Sequence, residues 1–113
     1  MPQRKRATKP DEMYAIVSQQ MVTRNGVGEA KMFGMPSLKT DTGKAFAGLF
    51  EDAMVFKLTG EAHQRALALK GAKLFDPSGR NRPMKEWVLV PFAHAEKWLD
   101  LAQDAWQYVG EEK

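Results

Sequence analysis

Residues 31–58, KMFGMPSLKTDTGKAFAGLFEDAMVFKL, limit what this chain can fold into more than any other stretch. They read as three β-segments separated by two turns, and they supply the only large apolar surface on which helices elsewhere could pack. Lys44 to Phe50 alternates Ala45, Ala47 and Leu49 against Phe46, Gly48 and Phe50. Both sets are apolar, so the spacing predicts a central strand covered at least partly on both sides. Glu51-Asp52 reads as a tight turn. Ala53 to Leu58 reads as the next strand, with Met54, Phe56 and Leu58 on one face. Asp41-Thr42-Gly43 is a turn with glycine where a positive φ is wanted. Pro36 cannot donate to a ladder, so its segment is expected at an edge or a bulge.

The flanking segments have the helical period. Pro10 opens a helix over about 11–24 at no hydrogen-bonding cost, with Asp11 and Glu12 at the positive end of its dipole. Met13, Ile16, Val17 and Met21 form its stripe, and Asn25-Gly26 ends it. A short helix over about 61–70 follows Thr59-Gly60, and a third runs from about Ala93 to Val109. Between these two lie a short extended piece at 72–75, a loop at 76–83 rich in proline and arginine, and a strand at 84–90. There Met84, Glu86, Val88 and Val90 are expected on one face, with Lys85, Trp87 and Leu89 on the other. The expected fold is therefore α+β, in the order α-β-β-β-α-β-β-α. A mainly antiparallel sheet of about five strands carries the helices on one face and leaves the other free.

A length of 113 residues suits one domain, and 43% hydrophobic content is enough for a core without staples. The chain has no cysteine, which excludes disulfides, thiol catalysis and cysteine-held metal clusters and fits a cytoplasmic location. No apolar run reaches the roughly 18 residues of a membrane span, and no apolar segment of the signal-peptide kind follows the charged N-terminus. Residues 1–9 hold Arg4, Lys5, Arg6 and Lys9 and no acid; without them 13 basic residues face 14 acidic ones. The positive net charge is thus a disordered basic tail on a near-neutral domain spanning 10–113.

No constellation of catalytic residues is legible. His63 and His94 are the only histidines and lack the spacing of metal ligands or of a triad. Ser18, Ser37 and Ser78 sit outside any nucleophile-elbow context, and Asp11-Glu12 and Glu51-Asp52 have structural explanations at a helix start and a turn. Asn25-Gly26-Val27-Gly28 follows a helix, not a strand, so it is no dinucleotide fingerprint. The chain is therefore read as no enzyme, with no cofactor and no metal. Lys44, Lys57, Arg80, Arg82 and Trp87 are the candidates for binding an anion or a partner, because guanidinium groups beside an aromatic ring suit phosphate, carboxylate or a base. A methionine- and phenylalanine-rich sheet face points instead to a protein partner or self-association. Nucleic acid, held by the tail and by Arg80 and Arg82, is the alternative partner.

Several short motifs resemble the TfoX/Sxy N-terminal domain family. They are Met32-Phe33-Gly34, Gly43-Lys44-Ala45-Phe46-Ala47, Val55-Phe56-Lys57-Leu58, Phe75-Asp76-Pro77, Pro83-Met84, and Trp87 before Val90-Pro91. Their order and spacing carry the likeness over about residues 10–109, with Met35-Pro36 standing where the family tends to a second glycine. The MmcQ/YjbR-like proteins, similar in layout, are the alternative family. The resemblance implies a secretion-chaperone-like α/β fold, no established catalytic residues, and a regulatory role of the kind TfoX/Sxy proteins have in natural competence. The motif residues Met32, Phe33, Gly34, Gly43, Phe46, Phe75, Pro83, Met84 and Pro91 read as fold determinants: aromatics for the core and glycines for turns.

Overall fold

The computed structural model describes residues 9–32, 34–77, 79–80 and 83–111. Most of the basic tail, Phe33 and Arg82 lie outside these residues. The fold is α+β, with a six-stranded antiparallel sheet and three α-helices. In chain order the elements are α1 (Pro10–Asn25), β1 (Gly28–Met32), β2 (Met35–Lys39), β3 (Ala45–Phe50), β4 (Ala53–Lys57), α2 (Gly60–Leu67), β5 (Lys73–Phe75), β6 (Met84–Pro91) and α3 (Trp98–Glu111). A 3-10 turn, Phe92–Lys97, joins β6 to α3. The strands lie side by side as β1-β2-β3-β4-β6-β5. The sequence predicts one strand fewer, because the glycines and the proline around Met32–Leu38 weaken the strand signal of what is a regular hairpin, with Met32 opposite Met35.

α1 starts with Pro10 in its first turn and Asp11 and Glu12 at its positive end. It stops at Gly26, whose φ of 67° only glycine adopts without strain and whose N–H bonds to the Val22 carbonyl at 3.1 Å. α3 packs over β3 and β4, α1 lies beside α3, and α2 packs on β6. The helix side of the sheet is the main core: Val17, Met21, Leu38, Phe46, Met54, Phe56, Leu58, Val88, Val90 and Trp98 are all fully buried there. Met54, Phe56 and Leu58 share that face, as their spacing predicts.

Two irregularities revise the expected faces. Leu38 pairs with Ala47 but Lys39 pairs with Ala45, so Phe46 is an extra residue in a bulge. The bulge turns Phe46 to the helix side together with Ala47, whereas strict alternation puts it with Gly48 and Phe50. On β6, Leu74 faces Val88 while Phe75 faces Met84. The surplus residues rotate Met84 to the side of Trp87, away from Val88 and Val90. Pro36 lies beyond the last β2–β3 pair, Ser37–Gly48, so β2 is locally an edge where the proline occurs although it is an inner strand overall.

The second face is not left free as the sequence predicts. It carries its own cluster of Met35, Val55, Phe75 and Trp87, with Met32, Ala45, Phe50, Met84 and Leu89 packed around it. Val55 is fully buried although the three α-helices pack on the other side. Phe50 on β3 meets Phe75 on β5 edge to face at 5.0 Å. Two strands separate β3 from β5, about 14 Å in a flat sheet. The sheet therefore bends over this face and its own side chains fill the hollow.

Candidate functional site

The bend leaves one cleft open at the end of the sheet marked by the β3–β4 turn. It has a volume of ≈ 580 Å³, with Phe50, Phe75 and Leu89 along it and Pro83 at its side. Three acidic residues, Glu51, Asp52 and Asp76, and one basic residue, Lys73, also line it. Each arrives by local chemistry. Glu51 and Asp52 are the two residues between the paired Phe50 and Ala53, a connection that needs a positive φ in its first position. Glu51 supplies it at φ 55°, a conformation uncommon for a residue with a side chain. Asp76 follows β5 and orders the loop beyond it: the Gly79 N–H donates to the Asp76 carbonyl and to Oδ1, each at 3.2 Å. Among the described residues no group of three ligating side chains is placed to hold a metal ion.

The residues singled out in the sequence are distributed differently. Trp87 is 7% exposed and belongs to the second-face cluster, where Phe75, Met84 and Met32 also lie. Lys57 is the register partner of Trp87, and its Nζ lies 3.8 Å from Glu86 Oε1. Tyr108 on α3 donates its hydroxyl to the other oxygen of Glu86 at 2.6 Å. Lys44 precedes β3, where its N–H donates to Thr40 Oγ1 at 3.1 Å. Lys44 and Lys57 thus stand at the end of the β3–β4 hairpin opposite its turn, away from the cleft. Arg80 is exposed and does not line it. The cleft is thus lined by none of Lys44, Lys57 and Arg80, and its charged residues are mainly acidic. Among the motif residues, Phe75 and Pro83 line that cleft, Phe46 fills the helix-side core, Gly34 and Gly43 sit in turns at positive φ, and Pro91 ends β6.

Sequence reasoning missed the acidic wall. Glu51-Asp52 and Asp76 each read as a turn or loop residue, which they are; only the strand order brings them together. The histidines are structural. His63 Nε2 donates to the Lys85 carbonyl and His94 Nε2 to the Lys70 carbonyl, both at 2.8 Å, which fixes each ring with its proton on that nitrogen. Ser37 Oγ and Trp98 Nε1 are buried without a hydrogen-bond partner among the described residues, in the second-face and helix-side layers respectively.

Comparison of the chain with protein-family models, with curated proteins and with solved structures finds no match.

Proposed function

We propose that the chain is a non-catalytic regulatory module that captures a segment of a partner protein in the cleft on the second face of the sheet. The observation that carries this reading is the pairing of an apolar floor, Phe50, Phe75 and Leu89, with a wall of Glu51, Asp52 and Asp76. Such a surface takes a large apolar side chain flanked by lysine or arginine, because the floor desolvates the anchor while the carboxylates attract the flanks. The resemblance to the TfoX/Sxy N-terminal domain supports a regulatory role over a metabolic one. The cytoplasm is the compartment we assign to it. Among the described residues no helix is long and apolar enough to cross a membrane.

The test is a titration with short peptides that share one aromatic anchor and carry either basic or acidic flanks, followed by backbone amide shifts. Basic-flanked peptides are expected to move the amides of 51–53 and 73–76, with affinity that falls as salt rises and is lost in Asp52→Lys. Equal binding of both peptide kinds, or shifts confined to other strands, would remove the proposal. Salt-dependent binding of a DNA oligonucleotide with no response to any peptide would replace the protein partner by nucleic acid.

A further inference from the structure

β1 ends the sheet, and among the described residues no strand pairs along its outer side. An edge strand presents unpaired N–H and C=O groups to any chain that can align with it. Their direction follows from the hairpin. Two residues connect β1 to β2, which makes Met32–Met35 the closing hydrogen-bonded pair. Alternation then makes Lys31–Pro36 and Glu29–Leu38 the non-hydrogen-bonded kind, an arrangement that suits Pro36, which has no N–H to give. The backbone groups of Glu29 and Lys31 therefore point away from β2, toward the free edge. Both side chains are exposed and they carry opposite charges.

We propose that this edge joins two copies of the chain: β1 pairs antiparallel with β1 of a second copy about a two-fold axis at Ala30. In that register Glu29 stands opposite Lys31 of the partner subunit, and Lys31 opposite Glu29 of the partner subunit. The outward N–H and C=O groups of both residues are then paired. The two adjacent symmetric registers that use the same backbone groups set Glu29 against Glu29 of the partner subunit, or Lys31 against Lys31 of the partner subunit. Like charges directly opposite are unfavourable, so the order Glu-Ala-Lys selects one register of the three. A single sign of charge would guard an edge against pairing; alternating signs about a central alanine make it self-complementary.

α1 supplies apolar surface beside the same edge. Among the described residues the exposed large hydrophobics are Ile16 and Val22, each 39% exposed and both on α1. Val22 lines a groove of ≈ 410 Å³ together with Tyr14, Ala15 and Ser18, and the groove reaches β1 at Glu29. Docking of a second copy along β1 brings this flank into the joint and withdraws Val22 from water. The proposal is independent of the cleft, which lies on the other face of the sheet, and its test uses no peptide.

The experiment is molar mass by sedimentation over a range of concentrations, on the full chain and on charge-reversed variants. The unmodified chain is expected to reach the dimer mass. Glu29→Lys alone and Lys31→Glu alone are each expected to lose the dimer, because each sets like charges across the axis. The two variants mixed are expected to recover it as a mixed dimer, and the double exchange in one chain to recover it as a self-dimer. Hydrogen exchange on the unmodified chain gives a second readout: the Glu29 and Lys31 amides gain protection with concentration while that of Ala30, already turned to β2, does not change. A monomer at every concentration would overturn the proposal, as would a dimer indifferent to both reversals or one that leaves the Glu29 and Lys31 amides exchanging as in the monomer. The exchange readout stands even if a variant fails to fold.

Discussion

Gly48 on β3 stands opposite Ser37 on β2, close to the backbone before it. A Cβ there would lie 2.8 Å from Met35 Cε and 3.0 Å from the Pro36 carbonyl oxygen. The methionine tip can swing aside, but the carbonyl belongs to backbone. Gly48→Ala is expected to cost about 1–3 kcal/mol, read as a lower denaturation midpoint at unchanged slope. Unchanged stability would mean that the hairpin shifts freely. Glu51 presents the opposite case. Its φ of 55° costs a side-chain-bearing residue roughly 1–2 kcal/mol, partly offset in glycine by greater freedom when unfolded. Glu51→Gly should therefore stabilise the fold, by up to about 1 kcal/mol, while weakening capture of basic peptides; calorimetry and titration of one sample would separate the two. Loss of stability would show that the Glu51 side chain itself holds the turn. Neither residue announces its role in the sequence. Gly48 looks like one more small residue in an apolar run, and Glu51 like an ordinary turn residue, because the atoms that restrict them come from other strands or from the exact turn geometry.

At the scale of elements, period and punctuation were legible and pairing was not. α1 and β4 follow their local signals within a residue or two. The segment from Ala93 reads as continuous helix, yet Phe92–Lys97 is a 3-10 turn in which His94 leaves helical geometry, with φ −110° and ψ 29°. His94 donates to the Lys70 carbonyl and so ties this turn to the chain between α2 and β5. Phe92 also meets the buried Trp98 ring at 5.7 Å. His94→Ala is expected to lose about 1 kcal/mol and to speed amide exchange in 70–73. Stability unchanged within error would assign the restraint to Phe92 and Trp98 alone.

For the whole molecule, a core on each side of one sheet replaces the one-sided layer that the order of elements suggests. Burial on the helix side also shapes the response to pH. Burial pushes the Tyr14 phenol above its ordinary value, and the charge of Glu29 adds to the shift. The folded chain thus keeps this proton where an unfolded tyrosine, near 10, gives it up. The stability associated with Tyr14 is complete below about pH 10 and is lost as pH rises beyond it, so Tyr14→Phe should raise the alkaline unfolding midpoint. Burial likewise raises the Asp104 carboxyl; Arg65 opposes the shift and Asp100 adds to it. That contribution is full below the unfolded value of about 3.9 and declines as pH rises through the folded one. Asp104→Asn should therefore flatten the fall in stability from acid to neutral pH. A profile unchanged in either variant would place the titration elsewhere.

The sequence by itself determined the α+β class and the succession of helical and extended segments, short of one strand and of the 3-10 turn, since periods of 2 and 3.6 residues are properties of the local backbone. It also determined that Met54 and Phe56 share one face of β4, where no irregularity intervenes. Only the tertiary structure decided which side Phe46 and Met84 occupy, that the sheet bends far enough for Phe50 to meet Phe75, and that Glu51, Asp52, Lys73 and Asp76 share a cleft. Strand register is set by partners remote in the chain, and a single extra residue moves a side chain to the opposite face. The candidate site is put together by the strand order and the bend of the sheet, so it was out of reach of any reading confined to neighbours in sequence.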